Sequence, residues 1–222
     1  MGDFFIGDRF VGDKKKTMDF DASLLDAFSS SETLVAGVDE VGRGCLFGPV
    51  VAAAVVVPLS AISRLIEIGV KDSKQLSAKR RLELSQQIKE FVPAYQVSYA
   101  SVREIERLNI LHASLLAMKR SVERLKIQPA ICLVDGKQAI PNLTIVQKNI
   151  IKGDERSSII AAASIVAKVW RDELIVRLAR KYSEYDLASN KGYGTAKHLL
   201  ALQQYGASRQ HRMSFAPCQV SF

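Results

Sequence analysis

The chain has 222 residues, of which 48% are hydrophobic and 24% charged, and its formal net charge is +8. This length favours one domain, and the apolar content supplies a core, so a chain that is disordered throughout is excluded. The excess of Lys and Arg suits a polyanionic partner, because each phosphate that a protein neutralises releases counterions, with a merely basic globular protein as the alternative.

The cysteines and histidines argue against a disulfide framework and a structural zinc site. The three cysteines are odd in number and far apart, no CxxC pair occurs, and the three histidines are scattered. The apolar runs are far shorter than the ~20 residues of a membrane span, and no signal-peptide pattern opens the chain. We therefore expect a soluble, cytoplasmic protein that acts as a monomer.

In chain order, residues 1–32 carry mixed charge and a serine cluster. They predict a poorly ordered lead with at most a short amphipathic helix near residues 20–28, and we expect no function there. Residues 33–222 form the single domain. The apolar runs bounded by turn signals predict five strands, over residues 34–38, 50–57, 95–99, 130–134 and 143–146.

Apolar residues at helical spacing predict six helices. They span residues 61–68, 78–92, 102–108, 110–125, 158–181 and 195–205, with Ser77 and Asn109 as N-caps of the second and the fourth. Small side chains at positions 161–164 permit the fifth helix to pack closely on the sheet. The order of the elements predicts an α/β fold, with a mixed five-stranded sheet flanked by helices and a helical C-terminal part.

Acidic side chains stand beside glycines where elements begin or end. Asp39 and Glu40 follow the first strand, Asp135 follows the fourth, and Asp154 opens the fifth helix. Each acid alone could be a helix cap or a turn residue. Together, these oxygen ligands without a His/Cys cluster favour Mg²⁺ or Mn²⁺, and the basic chain favours phosphoryl chemistry. Because adjacent strand residues point to opposite faces, Asp39 and Glu40 share a site only if the strand ends or twists at Glu40.

Five sequence blocks occur in order between residues 37 and 198: GVDEVGRGCLFGPVVAAAV, DSKQLS, LVDGK, KGD followed by IAAASIVAKVWRD, and NKGYGTAKH. In this order and spacing they resemble the signature blocks of type 2 ribonuclease H, specifically bacterial ribonuclease HII. The resemblance covers most of the chain but not the first thirty or so residues. It implies an RNase H-like fold and makes residues 33–222 the catalytic domain.

The resemblance also implies the reaction and the metal ligands. It implies cleavage of the RNA strand of RNA–DNA hybrids and incision 5′ to ribonucleotides in duplex DNA, leaving 3′-hydroxyl and 5′-phosphate ends, with roles in replication and ribonucleotide excision repair. By position, Asp39, Glu40, Asp135 and Asp154 match the four carboxylates that bind two Mg²⁺ or Mn²⁺ ions. Carboxylates on rigid strand ends supply the preorganised electrostatics that phosphoryl transfer requires.

The same matching assigns substrate contacts. Gly42, Arg43 and Gly44 match the turn that senses the ribose 2′-hydroxyl, and glycines do permit the close backbone approach that this needs. Tyr193 matches the tyrosine that packs on the sugar beside the ribonucleotide. Among less specific matches, three further side chains are candidate phosphate contacts: Ser73, Lys74 and Lys168.

Some positions depart from the family pattern. Met213 replaces a second basic residue after His211 and Arg212, which argues against a phosphate grip by the tail, and Phe47 replaces a small residue. Arg171 and Asp172 are expected to form a local ion pair or a contact near the site.

Three alternatives remain at the level of sequence. Ribonuclease HIII has a sizeable N-terminal substrate-binding domain and a different glycine turn, Holliday-junction resolvases lack the GRG and KGYGT blocks, and a non-catalytic nucleic-acid-binding module would not need four carboxylates.

Overall fold

The structure is a computed structural model that describes residues 20–21 and 30–219. The helix predicted near residues 20–28 therefore lies almost entirely outside the described residues. The strands are β1 (Leu34–Val41), β2 (Val50–Pro58), β3 (Ala94–Ala100), β4 (Ile131–Asp135) and β5 (Val146–Ile150). They form one sheet in the order β3-β2-β1-β4-β5, antiparallel from β3 to β1 and parallel from β1 to β5.

Helices cover both faces of this mixed sheet. They are α1 (Ile62–Glu67), α2 (Ala78–Phe91), α3 (Val102–Glu123), α4 (Gly153–Arg156), α5 (Ser158–Ala179), α6 (Leu187–Asn190) and α7 (Ala196–Tyr205). Alternate residues of β2 enter different cores: Val55 packs with α2 and α5, and Val56 packs with α3. A third cluster, around Phe47 and Leu202, joins the C-terminal helices to α5 and to the loop between β1 and β2. The predicted α/β fold with a mixed five-stranded sheet is therefore confirmed.

Helix α5 lies directly on β1 because the contact surface carries almost no side chain. A Cβ atom on Gly37 would stand 2.3 Å from the Ile159 carbonyl oxygen, so only glycine fits there. The alanines that follow, Ala161 to Ala163, are completely buried against the sheet, as their small size predicts. This close packing fixes the start of α5, and with it α4, relative to the end of β1.

Two strand predictions require correction. The first strand continues to Val41, which pairs with Val51. The fifth strand was predicted at residues 143–146 but spans Val146–Ile150. Leu143 and Ile145 produced the apolar pattern, yet they pack on the α3 side of the core from a loop, whereas β5 is an edge strand of largely polar residues.

Asn109 separates two helical parts inside α3, as predicted. Its backbone has φ +65°, and its Oδ1 accepts hydrogen bonds from the N–H groups of Leu111 (3.0 Å) and His112 (3.1 Å), which is N-capping geometry. The non-helical backbone at Asn109 thus divides α3, which packs mainly on β2 and β3. Among the described residues, no helix combines the length and the hydropathy needed to cross a membrane.

Candidate active site

Three carboxylates converge at the carboxyl ends of two neighbouring strands. Strands β1 and β4 are parallel, and Val38 pairs with Val134, so Asp39 and Asp135 come next to each other. One oxygen from each of Asp39, Glu40 and Asp135 lies within 4.8 Å of the other two. The sheet register therefore assembles the acidic cluster that the sequence predicted from separate strand ends.

Asp39 and Glu40 meet although β1 does not end between them. Asp39 is on the α5 side, where Ser164 donates a hydrogen bond to it. Glu40 is on the α3 side, where Arg43 Nη1 lies 3.2 Å from its Oε1. The longer glutamate side chain spans the edge of the sheet, so no break of the strand is required.

Asp154 approaches the cluster from α4. The Gly153 N–H donates a 2.6 Å hydrogen bond to Asp135 Oδ1, which attaches the first turn of α4 to the end of β4. Asp154 itself is 6% exposed and accepts a 2.9 Å hydrogen bond from Lys74 Nζ. The structure therefore brings the fourth predicted carboxylate to the same edge, although not within the 4.8 Å group.

The cluster is electrostatically unfavourable by itself. Burial, followed by the charges of Glu40 and Asp135, raises the pKa of Asp39 well above its usual value. Burial also raises the pKa of Glu40, against the opposing effect of Arg43. The pKa of Asp135 is raised by burial and by Asp154, with the Gly153 hydrogen bond acting in the other direction.

This donor set fits a divalent cation. The cluster offers only carboxylate oxygens, which Mg²⁺ and Mn²⁺ prefer. A bound cation would stabilise the charged forms of these acids, whose pKa values are raised first by burial and then by their mutual repulsion. The cation would be held by Asp39, Glu40 and Asp135, with Asp154 beside them.

A cavity of about 180 Å³ unites the acids with most of the other predicted site residues. It is lined by all four carboxylates and by Ser73, Lys74, Lys168 and Tyr193. Ser73 is 5% exposed and lies behind Asp39, with its Oγ 3.1 Å from Ser164 Oγ. Lys168 has its Nζ 5.4 Å from the Tyr193 ring centroid. Asp172 forms its ion pair with Lys168 (2.8 Å) and not with Arg171, so of the two alternatives predicted for Arg171 and Asp172 the contact near the site is the one observed.

The glycine loop, residues 42–49, borders this group through Arg43. Gly42 has φ +89°, and a Cβ atom there would stand 2.2 Å from Arg171 Nε. Both the backbone conformation and the lack of space for a side chain therefore require glycine at this position. Gly44 has open space around its Cα, which leaves its backbone accessible. The Arg43 side chain is 51% exposed, and it reaches the acids through its ion pair with Glu40.

Two completely buried arginines donate hydrogen bonds to backbone carbonyls of this loop. Arg171 donates from Nε to the carbonyl of Pro49 (3.2 Å), from Nη2 to Phe47 (2.9 Å) and from Nη1 to Lys191 (2.8 Å). Arg212 donates from Nη1 to the carbonyl of Arg43 (2.8 Å) and from Nε and Nη2 to that of Gly48 (3.0 and 2.9 Å). Arg212 is thus engaged with backbone, in agreement with the argument against a phosphate grip by the tail.

The tyrosine loop, residues 190–195, is tied to the glycine loop and to a pair of buried histidines. Leu46 N–H donates to the Gly192 carbonyl at 2.8 Å. His211 Nδ1 accepts from Ser208 N–H (2.9 Å), so its Nε2 carries the proton and donates to His198 Nε2 (3.0 Å). His198 Nδ1–H then donates to the Tyr193 carbonyl (2.8 Å). These bonds fix the backbone that carries the Tyr193 side chain.

Sequence reasoning missed the roles of Arg171, Arg212, His198 and His211. Nothing in the local pattern distinguishes a buried arginine from an exposed one: His211 and Arg212, for example, lie in the polar run SRQHRMS. Most of the partners that these buried groups need are distant in the sequence, so no local signal indicates their burial.

Comparison with known proteins gives a consistent result. The family model described as Ribonuclease HII matches residues 36–218. Ribonuclease HII of Nostoc sp. (strain PCC 7120) is 61% identical over 194 residues, which are 87% of this chain and 86% of that protein. Ribonuclease HII of Synechocystis sp. (strain PCC 6803) is 57% identical over 181 residues, which are 82% of this chain and 95% of that protein.

A solved structure of a related enzyme has the same fold. The ribonuclease H2 of Pyrococcus horikoshii superimposes with a TM-score of 0.74 at 29% identity and covers 84% of this chain and 96% of its own.

Proposed function

The chain belongs to the ribonuclease HII family, whose members are metal-dependent type 2 ribonucleases H acting on RNA–DNA hybrids, and we propose that it also incises DNA duplexes 5′ to single embedded ribonucleotides. One observation carries the proposal: a single cavity joins the four carboxylates to Tyr193, and the glycine loop adjoins them through Arg43. A cleft of this kind holds both the groups that cleave a phosphodiester and the groups that can recognise one ribose.

We assign the metal-binding role to Asp39, Glu40, Asp135 and Asp154. Mg²⁺ or Mn²⁺ ions held there would supply charge stabilisation for the scissile phosphate and a lower pKa for the attacking water. Hydrolysis that breaks the bond between phosphorus and the 3′ oxygen leaves 3′-hydroxyl and 5′-phosphate ends. The protein holds the carboxylates in place through the β1–β4 register and the Gly153–Asp135 hydrogen bond. Lys74, beside Asp154, is placed to contact a phosphate oxygen.

Recognition of the ribose falls to the two loops. The backbone around Gly44 is open, so its polar groups can reach a 2′-hydroxyl, which only a ribonucleotide possesses. Tyr193 is 40% exposed, and its ring faces the cavity, where a sugar can pack on it. Ser73, whose Oγ lies 3.1 Å from Ser164 Oγ, and Lys168, whose Nζ lies 5.4 Å from the Tyr193 ring centroid, line the same cavity and are proposed as further phosphate contacts.

We further propose that residues 33–222 form the catalytic domain, preceded by a lead, and that the protein works as a cytoplasmic monomer in ribonucleotide removal. The three cysteines are free and buried, which supports a reducing compartment.

The decisive experiment offers the purified protein a DNA duplex that contains one ribonucleotide, with Mg²⁺ and separately with Mn²⁺. We expect a single cut 5′ to the ribonucleotide, and no cut by Asp39→Asn at equal protein concentration. An all-DNA duplex is the substrate control. An intact ribonucleotide duplex under both metals, alongside a cleaved RNA–DNA hybrid, would remove the proposal and leave the family activity.

Tyr193 offers a test of the recognition role. We expect Tyr193→Ala to slow cleavage at a single ribonucleotide roughly ten- to a hundredfold, because stacking on an aromatic ring contributes about 1–3 kcal/mol. Tyr193→Phe keeps the ring and is the matched control. Rates are measured on the single-ribonucleotide duplex, and equal rates for the Ala variant and the wild type would contradict the assignment.

A further inference from the structure

A strongly basic cavity of about 580 Å³ lies on α3, outside the site described above. We call it the arginine groove and define it by four arginines around one acid: Arg103, Arg107, Arg120, Arg124 and Glu104.

The kink at Asn109 assembles this groove from both parts of α3. Arg103 and Arg107 are four residues apart on the first part and share a face. Arg120 lies on the second part, and Arg124, four residues later, is the C-cap that follows it. The two parts are joined by Arg120 Nη2 and Glu104 Oε1, which are 2.7 Å apart. Like charges at this spacing destabilise an isolated helix, so folding alone does not account for them.

Among the residues that the structure describes, only Arg120 of the four arginines forms an ion pair. Arg120 pairs with Glu104, which holds the pKa of that carboxyl at about 2. In the part of the chain that the structure describes, Arg103, Arg107 and Arg124 are exposed and form no ion pair or side-chain hydrogen bond.

The other acids of α3 do not supply the missing charge. Glu106 accepts hydrogen bonds from the N–H (3.0 Å) and the hydroxyl (2.9 Å) of Ser214, and Glu123 pairs with Lys119 at 3.5 Å. Three guanidinium groups therefore point into one cavity without a counterion among the described residues.

The groove is close to the acidic cluster along the same helix. Leu115 and Met118 of α3 line a second cavity together with Glu40 and Asp135. Arg124 is six residues beyond Met118, a distance of about 9 Å along a helix axis. A duplex seated at the carboxylates carries a phosphate charge every few ångströms, so its flank can reach the groove.

We propose that the arginine groove binds backbone phosphates of the substrate duplex, several nucleotides away from the cleaved bond. This extends the proposed function to a second point of contact. Arginine suits the role because its planar fork binds two phosphate oxygens at once. Phosphate contacts carry no sequence information, so the groove adds affinity and register without restricting which ribonucleotide is cut.

The test measures the salt dependence of binding with the full chain. Fluorescence anisotropy gives the affinity for a DNA duplex of about 25 base pairs, in EDTA so that nothing is cleaved, over a series of NaCl concentrations. The groove variant is Arg103→Gln/Arg107→Gln/Arg124→Gln, which leaves the Arg120–Glu104 pair intact. We expect weaker binding and a slope of log K against log[salt] that is less steep by roughly 1 to 3, since each phosphate contact contributes about 0.9.

The matched control removes three exposed cations from the other face of the sheet: Arg64→Gln/Lys79→Gln/Lys181→Gln. It changes the net charge equally, so a groove variant with the slope of this control overturns the proposal. Thermal melting checks that both variants are folded. Binding is measured in EDTA and does not depend on cleavage. A changed salt slope in the groove variant therefore supports the groove proposal even if the protein does not incise at ribonucleotides. An unchanged salt slope in a protein that does incise at ribonucleotides overturns the groove proposal and leaves the proposed function.

A small phosphate compound is the other source of the same chemistry. NMR signals of the arginine Nε–H groups are followed during titration with inorganic phosphate at millimolar concentration. Saturable shifts in the wild type, combined with an unchanged duplex slope in the groove variant, would show a small-molecule site and overturn the duplex proposal.

Discussion

At the scale of residues, charge determines how the site is built. Three acids with raised pKa values lie at one edge of the sheet, while two buried arginines donate their hydrogen bonds to backbone carbonyls. The acids are thus left for a cation, and the arginines stabilise loop conformations that apolar packing would not specify. Removing a carboxylate and crowding a glycine should therefore have opposite effects on stability.

Asp135→Asn is expected to stabilise the metal-free protein, by about 1 kcal/mol, because it removes one of several charges that repel each other in a buried place. The asparagine Oδ1 can still accept the hydrogen bond from Gly153. The wild type is expected to gain thermal stability with Mg²⁺, about 2.7 kcal/mol at a hundred times the dissociation constant, and the variant to gain little. The melting temperatures of both proteins are measured with and without Mg²⁺. A variant that is destabilised and still gains as much melting temperature from Mg²⁺ as the wild type would contradict the assignment of Asp135 as a metal ligand.

Gly42→Ala is expected to lower the free energy of unfolding by about 1–3 kcal/mol and to reduce cleavage. The added Cβ meets the Arg171 guanidinium, and φ +89° is unfavourable for alanine. Gly44→Ala is the matched comparison, since its Cβ enters open space and should leave the unfolding free energy unchanged while raising KM. Urea unfolding and steady-state kinetics separate the two; equal losses of stability would show that the glycine loop is not held as described.

At the scale of elements, the strands and most helices could be predicted because their apolar periodicity is local. β5 could not, since an edge strand of Gln147, Lys148 and Asn149 carries no apolar pattern. The supports of the glycine loop could not either. Arg171 and Pro49 are 122 positions apart, and Arg212 and Arg43 are 169 apart, so no local pattern links them. The histidine pair between α7 and the C-terminal segment belongs to the same class of distant contact.

The histidine pair predicts a loss of stability in acid. Burial lowers the pKa of His198, and burial with the neighbouring His198 lowers that of His211 to about 4. The folded state therefore binds fewer protons than the unfolded chain, whose histidines titrate near 6.5, so this contribution to stability is present above about pH 6.5 and is lost as the pH falls toward 4.

Carboxylates with raised pKa values bind more protons in the folded state, so they stabilise the protein as the pH falls. The contribution of the histidine pair is therefore measured as the difference between the wild type and a histidine variant. Urea unfolding at pH 7.5 and pH 5 is compared between the wild type and His211→Gln, with the exposed His112→Gln as control. We expect His211→Gln to show less of this loss than the wild type. A pH response equal to that of the wild type would mean that the pair is not held neutral.

At the scale of the whole molecule, the lead is attached to the domain through several described residues, of which Asp21 makes the most hydrogen bonds. Asp21 accepts hydrogen bonds from Ser157 Oγ (2.6 Å), Ser158 N–H (2.6 Å) and Ser158 Oγ (2.5 Å), at the start of α5. The sequence assigned no role to this segment, because an isolated aspartate does not indicate which distant helix it caps. The contact lies a few residues after Asp154, where α5 begins.

Asp21→Ala is expected to lower the free energy of unfolding by about 1–3 kcal/mol, because it leaves buried donors at the start of α5 without an acceptor. Asp21→Asn keeps the shape and part of the hydrogen bonding, and should lie between this variant and the wild type. Urea unfolding at pH 7.5 measures both, and an Ala variant as stable as the wild type would show that the contact contributes nothing.

The distance in sequence between Arg212 and the loop it supports has a consequence for protein synthesis. Arg43 emerges from the ribosome early, but its carbonyl gains its partner only after Arg212 has been made, 169 positions later. A nascent chain can therefore pair its first strands while the turn beside the acids still lacks its last support. Cleavage competence should therefore arrive only after Arg212 has been synthesised.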